Sequence, residues 1–355
     1  MNILISLLIM GLSVYLLAII TDEYFIVSLD QISKKLKIPN NVAGASLMAM
    51  GSSAPELAIA LLSLVIAGGS HSDVGIATIV GSAIFNILII TGVSAIARPA
   101  IVTWRVVVRD VVMYVISVAL LIAVFADGEI VLWEAGIFLL VYALYIFVLF
   151  NWDAFAPDGE EGPIDTVREE IDSERERAGL FFRITAVVSR VIGFLMGNPL
   201  QSYVRTFTVS ILLISILSYL LVEYAVIFAE ALRIHPVIVA LTILAAGTSV
   251  PDLFASVVVA RQGRGDMAIA NAVGSNIFDI LIGLGLPWLL VLIFQGNSIN
   301  VGTEDLFSST LLLLGTVILL FFFLTTGRKL SKVEGAILVS VYLAYVFWVW
   351  FGNSI

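Results

Sequence analysis

Residues 51–57 read Gly-Ser-Ser-Ala-Pro-Glu-Leu, and residues 247–253 read Gly-Thr-Ser-Val-Pro-Asp-Leu. Each lies in the middle of a long apolar stretch. Proline has no N–H, and its ring collides with the carbonyl four residues earlier, which is that of Gly51 for Pro55 and of Gly247 for Pro251. Glycine tolerates the unusual dihedrals that follow. Both stretches are therefore expected to hold a broken helix. A second matched pair follows in the same order: GSAIFNIL at 81–88 and GSNIFDIL at 274–281. The first pair is offset by 196 residues and the second by 193. Two motifs, in order and at nearly one spacing, mark an internal repeat.

The composition says where these helices sit. Of 355 residues 60% are hydrophobic and 13% charged, with no cysteine and a mean hydropathy of +1.09. Soluble domains carry about 45–50% apolar and about 25% charged residues, so the chain is too apolar for water. Lack of cysteine excludes a disulfide-stapled fold. High hydrophobicity with a net charge of -9 excludes a disordered or nucleic-acid-binding protein. A helix needs about 20 mostly apolar residues to cross a bilayer. Ten such stretches are read near 3–20, 41–67, 74–97, 106–126, 130–150, 206–229, 236–260, 267–294, 306–325 and 334–351. The first has no basic residue before it and no small-residue cleavage site after it, so it reads as an uncleaved span rather than a signal peptide.

Basic residues set the orientation. Counted between these spans, 17 of 18 lysines and arginines fall on one side, and only Arg233 is on the other. That side is expected to be cytoplasmic, with both termini outside. The 151–204 connection carries ten acidic residues between Asp153 and Glu176 and reads as a solvated linker. Residues 180–198 are mildly amphipathic, a pattern that can lie along a membrane surface. The linker separates five spans (1–150) from five (205–355), so the second half enters from the opposite face and the repeat is inverted. The expected fold is an all-α membrane protein of ten transmembrane helices in two inverted five-helix repeats, with helices 2 and 7 broken.

Broken helices in a membrane free backbone carbonyls, which only protein or a polar cavity can satisfy. Here the neighbouring Ser52, Ser53, Thr248 and Ser249 hydroxyls and the Glu56 and Asp252 carboxylates surround them. Oxygen-rich sets of this kind suit a hard cation such as calcium, and sodium can use the same neutral oxygens. His and Cys are missing from the motifs, which disfavours zinc, copper and iron. A Gly-Pro kink alone is as often structural as functional, but an intramembrane carboxylate is costly and functional by default. In the second motif pair Asn86 is the counterpart of Asp279, and Ser82 and Ser275 lie one helical turn earlier on the same face. Ala83 corresponds to Asn276. Glu56, Asp252 and Asp279 total -3 if ionised, so a second cation or a proton is expected beside one Ca²⁺. Asp22, Glu23, Glu223 and Glu230 could line an access route or sit at the interface. Arg264 and Asp266 read as loop residues. Trp133, Trp152, Trp288, Trp348 and Trp350 read as interfacial anchors.

These motifs resemble the repeats of the cation/calcium antiporters, specifically the sodium/calcium exchanger branch, and are most similar to its potassium-dependent members. DEYF at 22–25, NVAGASLMAMGSSAPEL at 41–57, TIVGSAIFNIL at 78–88 and the stretches within 251–288 carry the likeness. The resemblance implies Glu56 and Asp252 as main calcium ligands, helped by Ser52 and Thr248. It implies Ser53, Ser82, Ser249, Ser275 and the carbonyls of Ala49 and Ala245 for sodium, with Asn86 and Asp279 completing a central site for potassium or sodium. It also implies that spans 1 and 6, which carry no break, form the gating pair. The Gly-Asn-x-x-Glu pattern usual in the proton-coupled branch is missing.

The expected function is sodium/calcium antiport by alternating access, in a plasma membrane, with potassium carried alongside calcium. The alternatives are potassium-independent sodium/calcium exchange and proton/calcium exchange. A cation channel is a more distant rival, because channels also use carboxylates and carbonyls. An enzyme is not expected, since GSSAP lacks the G-x-S-x-G nucleophile pattern. Calcium, sodium and potassium are expected as substrates and the bilayer as environment, with no cofactor and no required protein partner.

Overall fold

The computed structural model describes residues 3–36, 49–65, 72–101, 104–151, 193–194, 196–261, 263, 265–296, 298–301, 304–327 and 329–352. Expectations about residues 41–48, most of the 151–204 linker, Trp152 and Arg264 lie outside them. Helices dominate. The first half holds α1 (Ile3–Ile19), α2 (Ile26–Leu36), α3 (Ala49–Ser52), α4 (Ala54–Val65), α5 (Ser72–Phe85), α6 (Thr91–Ala97), α7 (Trp104–Phe125) and α8 (Leu132–Phe150). The second holds α9 (Tyr203–Leu232), α10 (Pro236–Val239), α11 (Ala245–Thr248), α12 (Val250–Arg261), α13 (Gly265–Phe278), α14 (Gly285–Gln295), α15 (Glu304–Gly327) and α16 (Lys332–Phe351). Among the described residues eight helices are long and apolar enough to cross a membrane, and Ala54–Val65 and Pro236–Thr248 are shorter apolar helices.

Several ends are written in the sequence. Arg233, at φ 59°, closes α9 in the left-handed region. His235 accepts from the Val237 amide and Pro236 takes the first position of α10, where a missing N–H costs nothing. Ser331 and Glu334 form a capping box on α16.

Among the described residues, four two-residue strands tie loops together in two antiparallel pairs. β1 (Ala100–Ile101) pairs with β4 (Lys329–Leu330) through Ala100↔Leu330 and Ile101↔Lys329. β2 (Glu129–Ile130) pairs with β3 (Ile299–Asn300) through Glu129↔Asn300 and Ile130↔Ile299.

The core lies along α5 and α13, which are nearly enclosed by their neighbours. In α5 every residue from Val74 to Phe85 is buried. Without a hydrophobic drive between helices in lipid, close packing depends on small residues. A Cβ on Gly81 would stand 2.3 Å from the Leu241 carbonyl oxygen, and one on Gly335 would stand 2.5 Å from the carbonyl oxygen of Gly92. Most buried hydroxyls are absorbed by their own helix, as Thr78 bonds the Val74 carbonyl (2.7 Å) and Ser117 that of Met113 (2.9 Å).

Two readings of single residues are corrected. Trp288 is not an interfacial anchor: it is fully buried, edge-on to Phe138 and Phe125, because α14 faces α8 rather than a headgroup layer. Asp266 is not in a loop but in the first turn of α13. The first span runs on without a break, and a π-helical turn (Ile20–Phe25) joins α1 to α2 across Asp22 and Glu23. Further π-turns occupy Asn86–Ile90, Ala240–Leu244 and Asp279–Leu284, and π-turns recur at functional sites.

Candidate cation site

Both proline motifs interrupt their helices, by a single turn residue each. Ser53 separates α3 from α4, and Ser249 separates α11 from α12. Ser249 has φ -88° and ψ 0°, and its amide reaches back 3.3 Å to the Ala245 carbonyl. The helix then resumes so that Glu56 and Asp252 stand in the first turns of α4 and α12. There the helix N-terminus favours negative charge.

Around these breaks the two halves exchange side-chain contacts. Ser82 and Ser249 hydrogen-bond at 2.8 Å across 167 residues. The Thr248 hydroxyl is a hydrogen-bond partner of Glu56, and Ser53 of Asp279. Glu56 and Asp252 both lie within electrostatic reach of Asp279. Asn86 donates its Nδ2 to Asn276 Oδ1 at 2.8 Å and to Ser275 Oγ at 3.3 Å. Asn86 and Asp279 each open a π-turn at the end of α5 and α13.

Glu56, Ser53, Ser82, Asn86, Thr248, Ser249, Ser275 and Asp279 are all buried, and Asp252 and Ser52 are half-buried. Three of their oxygens, Glu56 Oε2, Asn86 Oδ1 and Asp279 Oδ1, are buried without a hydrogen-bond partner. Elsewhere such atoms are mostly scattered hydroxyls and one indole N–H. A buried polar atom left unpaired costs about 1–3 kcal/mol, more when charged. Buried lone pairs left open in this way call for a cation. Among the described residues no three carboxylate, imidazole or thiol groups are placed to hold a metal by themselves. A cation here must therefore be shared between carboxylates and neutral oxygens.

Beside the site runs a crevice between α1 and the two breaks, lined by Val14, Leu17, Ala18 and Thr21 on one wall and Ser52, Pro55, Gly247 and Thr248 on the other. Of the sodium ligands expected, the Ala245 carbonyl already accepts the Ser249 amide and lies 3.3 Å from the Thr248 hydroxyl. The Ala49 backbone begins α3. Glu23 and Glu223 are half-buried and Glu230 is exposed at the end of α9.

Two groups escape sequence reading. Tyr114 on α7 is fully buried and hydrogen-bonded to Asn276 at 2.9 Å. Asp110, also on α7, is buried in a bidentate pair with Arg109 (2.7 and 3.1 Å) and accepts from Tyr145 at 3.2 Å. Its signal was its place beside an arginine at the end of an apolar span.

Known proteins agree on the family. The profile of the sodium/calcium exchanger protein family matches residues 5–151 and 202–351, one stretch on either side of the linker. Sodium/potassium/calcium exchanger 4 of Mus musculus is 29% identical over 94% of this chain and 78% of its own length. Sodium/potassium/calcium exchanger 5 of Homo sapiens is 31% identical over 79% of this chain and 69% of its own. Among solved structures, the sodium-calcium exchanger NCX_Mj aligns with a TM-score of 0.58 at 22% identity, covering 97% of this chain and 99% of that one. The H+/Ca2+ exchanger CAX aligns with a TM-score of 0.72 at 16% identity, covering 98% and 82%. These structures share the fold. The matched family is one of exchangers rather than enzymes, and this chain is a multi-pass membrane protein that belongs to the sodium/calcium exchanger family.

Proposed function

We propose that the chain is a secondary antiporter that exchanges sodium for calcium through one shared site, with potassium carried alongside calcium. Three buried acceptor oxygens without a hydrogen-bond partner, drawn from both halves, Glu56 Oε2, Asn86 Oδ1 and Asp279 Oδ1, carry this reading. Calcium takes six to eight oxygen ligands, which Glu56, Asp252, Ser52 and Thr248 begin to supply. Ser53, Ser82, Ser249, Ser275 and the Ala49 and Ala245 carbonyls serve sodium. Asn86 and Asp279 form the central position for potassium or sodium. One set of carboxylates cannot neutralise a full sodium complement and calcium together, so competition couples the two fluxes.

The architecture we assign is ten spans in two inverted repeats, residues 1–150 and 205–355. Packing supports it, because core contacts recur with the halves exchanged. α4 lies on α5 as α12 lies on α13; α5 meets α15 as α13 meets α7; α6 meets α16 as α14 meets α8. The strand pairs β1–β4 and β2–β3 also exchange under the same operation.

The first and sixth spans depart from it. The α9 helix packs along α4, but the counterpart packing of the first span along α12 is slight at most. Glu56 is accordingly only 3% exposed, while Asp252 is half-exposed. With α12 ending at Arg261, on the basic side, this asymmetry supports a conformation open to the cytoplasm. The orientation we assign has both termini outside, and the membrane we assign is the plasma membrane.

Sodium-loaded proteoliposomes test the reading. External calcium should enter against its gradient only while sodium leaves, and faster with potassium present beside calcium. Uptake independent of sodium would refute antiport, and equal rates with and without potassium would remove potassium alone.

A further inference from the structure

Asn276 is fully buried on α13 and uses every polar atom of its carboxamide. Its Nδ2 donates to the Ala83 carbonyl at 3.1 Å and to the Tyr114 hydroxyl at 2.9 Å. Its Oδ1 accepts from Asn86 Nδ2 at 2.8 Å. The Ala83 carbonyl can only accept. It therefore fixes which end of the Asn276 amide faces it, and Oδ1 must point to Asn86. Asn86 must answer with its Nδ2, whose second hydrogen goes to Ser275 Oγ at 3.3 Å. What remains is Asn86 Oδ1, buried and unpartnered. Turning either amide over would set oxygen against oxygen.

We infer that Tyr114 is a positioning residue for the cation site. Through Asn276, and together with the Ala83 carbonyl that sets the sense of that amide, it holds the Asn86 carboxamide with its oxygen, and not its nitrogen, presented to the bound ion. Tyr114 comes from a span that contributes no residue of either motif, and its hydroxyl is the second acceptor that keeps both Asn276 N–H groups occupied. Its ring also stands within electrostatic reach of Asp279. The relay gives the central position one carboxylate and one neutral oxygen, a set suited to a hard monovalent cation. A partner once removed from a metal ligand typically matters by 10–100-fold in affinity. The inference rests on the cation site proposed above.

A double-mutant cycle tests it, with Tyr114→Phe, Asn86→Ala and the pair compared with the wild-type protein in proteoliposomes. The reading is the sodium and potassium concentration that half-saturates calcium exchange. Tyr114→Phe should raise it about tenfold for the ion held centrally, with the maximal rate within about twofold of wild type. In the Asn86→Ala background the same substitution should add nothing. If Asn86→Ala turns over too slowly, the cycle is read from protection by sodium and potassium against thermal unfolding. Unchanged half-saturation in Tyr114→Phe overturns the inference, as does a fall in maximal rate alone, or an undiminished effect without Asn86. Wild-type protein that exchanges nothing would instead overturn the site itself.

Discussion

Asp279 is the position at which the second motif pair differs in ionisable groups between the two halves. Buried at the end of α13 with one oxygen unpartnered, it is the charged counterpart of the neutral Asn86. Asp279→Asn keeps the shape and removes the charge. The potassium concentration that half-activates calcium exchange should rise at least about tenfold, or about 1.4 kcal/mol. A wild-type potassium response in this variant, measured in proteoliposomes, would contradict the role given to Asp279. Glu56, Asp252 and Asp279 were legible in the sequence because a carboxylate inside an apolar span has few innocent explanations. Asn86 was legible only through its repeat partner. Tyr114 was not, since a tyrosine in a span carries no charge and its partner lies 162 residues away. Trp288 was misread for a related reason: sequence reports an aromatic near a span end, not what the end faces.

At the scale of elements, the two breaks followed from Gly-x-x-x-Pro, but their extent did not. Each is one residue long, because the helix restarts before the proline rather than at it. The π-turns were invisible for a different reason. Where nearly every position is apolar, hydropathy has no face to track, and one extra residue per turn leaves no trace. Eight helices among the described residues are long and apolar enough to be readable by length alone. The close crossing of α5 over the Ala240–Leu244 π-turn rests on Gly81, where a Cβ would meet the Leu241 carbonyl carbon at 2.7 Å and oxygen at 2.3 Å. Backbone cannot give way as a side chain can. Gly81→Ala should therefore cost about 3 kcal/mol, the upper range for overpacking, and lower the melting temperature in detergent by several degrees. Gly11→Ala, with nothing within 4 Å of the new atom, should stay within about 0.5 kcal/mol of wild type. Equal melting of the two variants would remove this account of the crossing.

At the scale of the molecule, core packing recurs between the halves, and α1–α2 and α9 depart from it. Under the antiport proposed above, movement of that pair across the breaks would exchange the open side. A Cβ on Gly51 would lie 3.7 Å from that of Ile26 on α2, within the 3.5–4.5 Å range of a disulfide. The chain has no cysteine of its own, so Ile26→Cys with Gly51→Cys gives one defined crosslink. Once oxidised it should abolish exchange while leaving calcium binding, and reduction should restore transport relative to the single variants. Exchange that survives complete crosslinking would show that the first span does not move on the second. Whatever moves, the proposed antiport requires calcium and sodium to compete for one set of oxygens. Equilibrium calcium binding to the purified protein, titrated at increasing sodium, tests it most directly. The half-saturating calcium concentration should climb more steeply than the first power of sodium. Calcium affinity that stays constant up to saturating sodium would contradict the shared site.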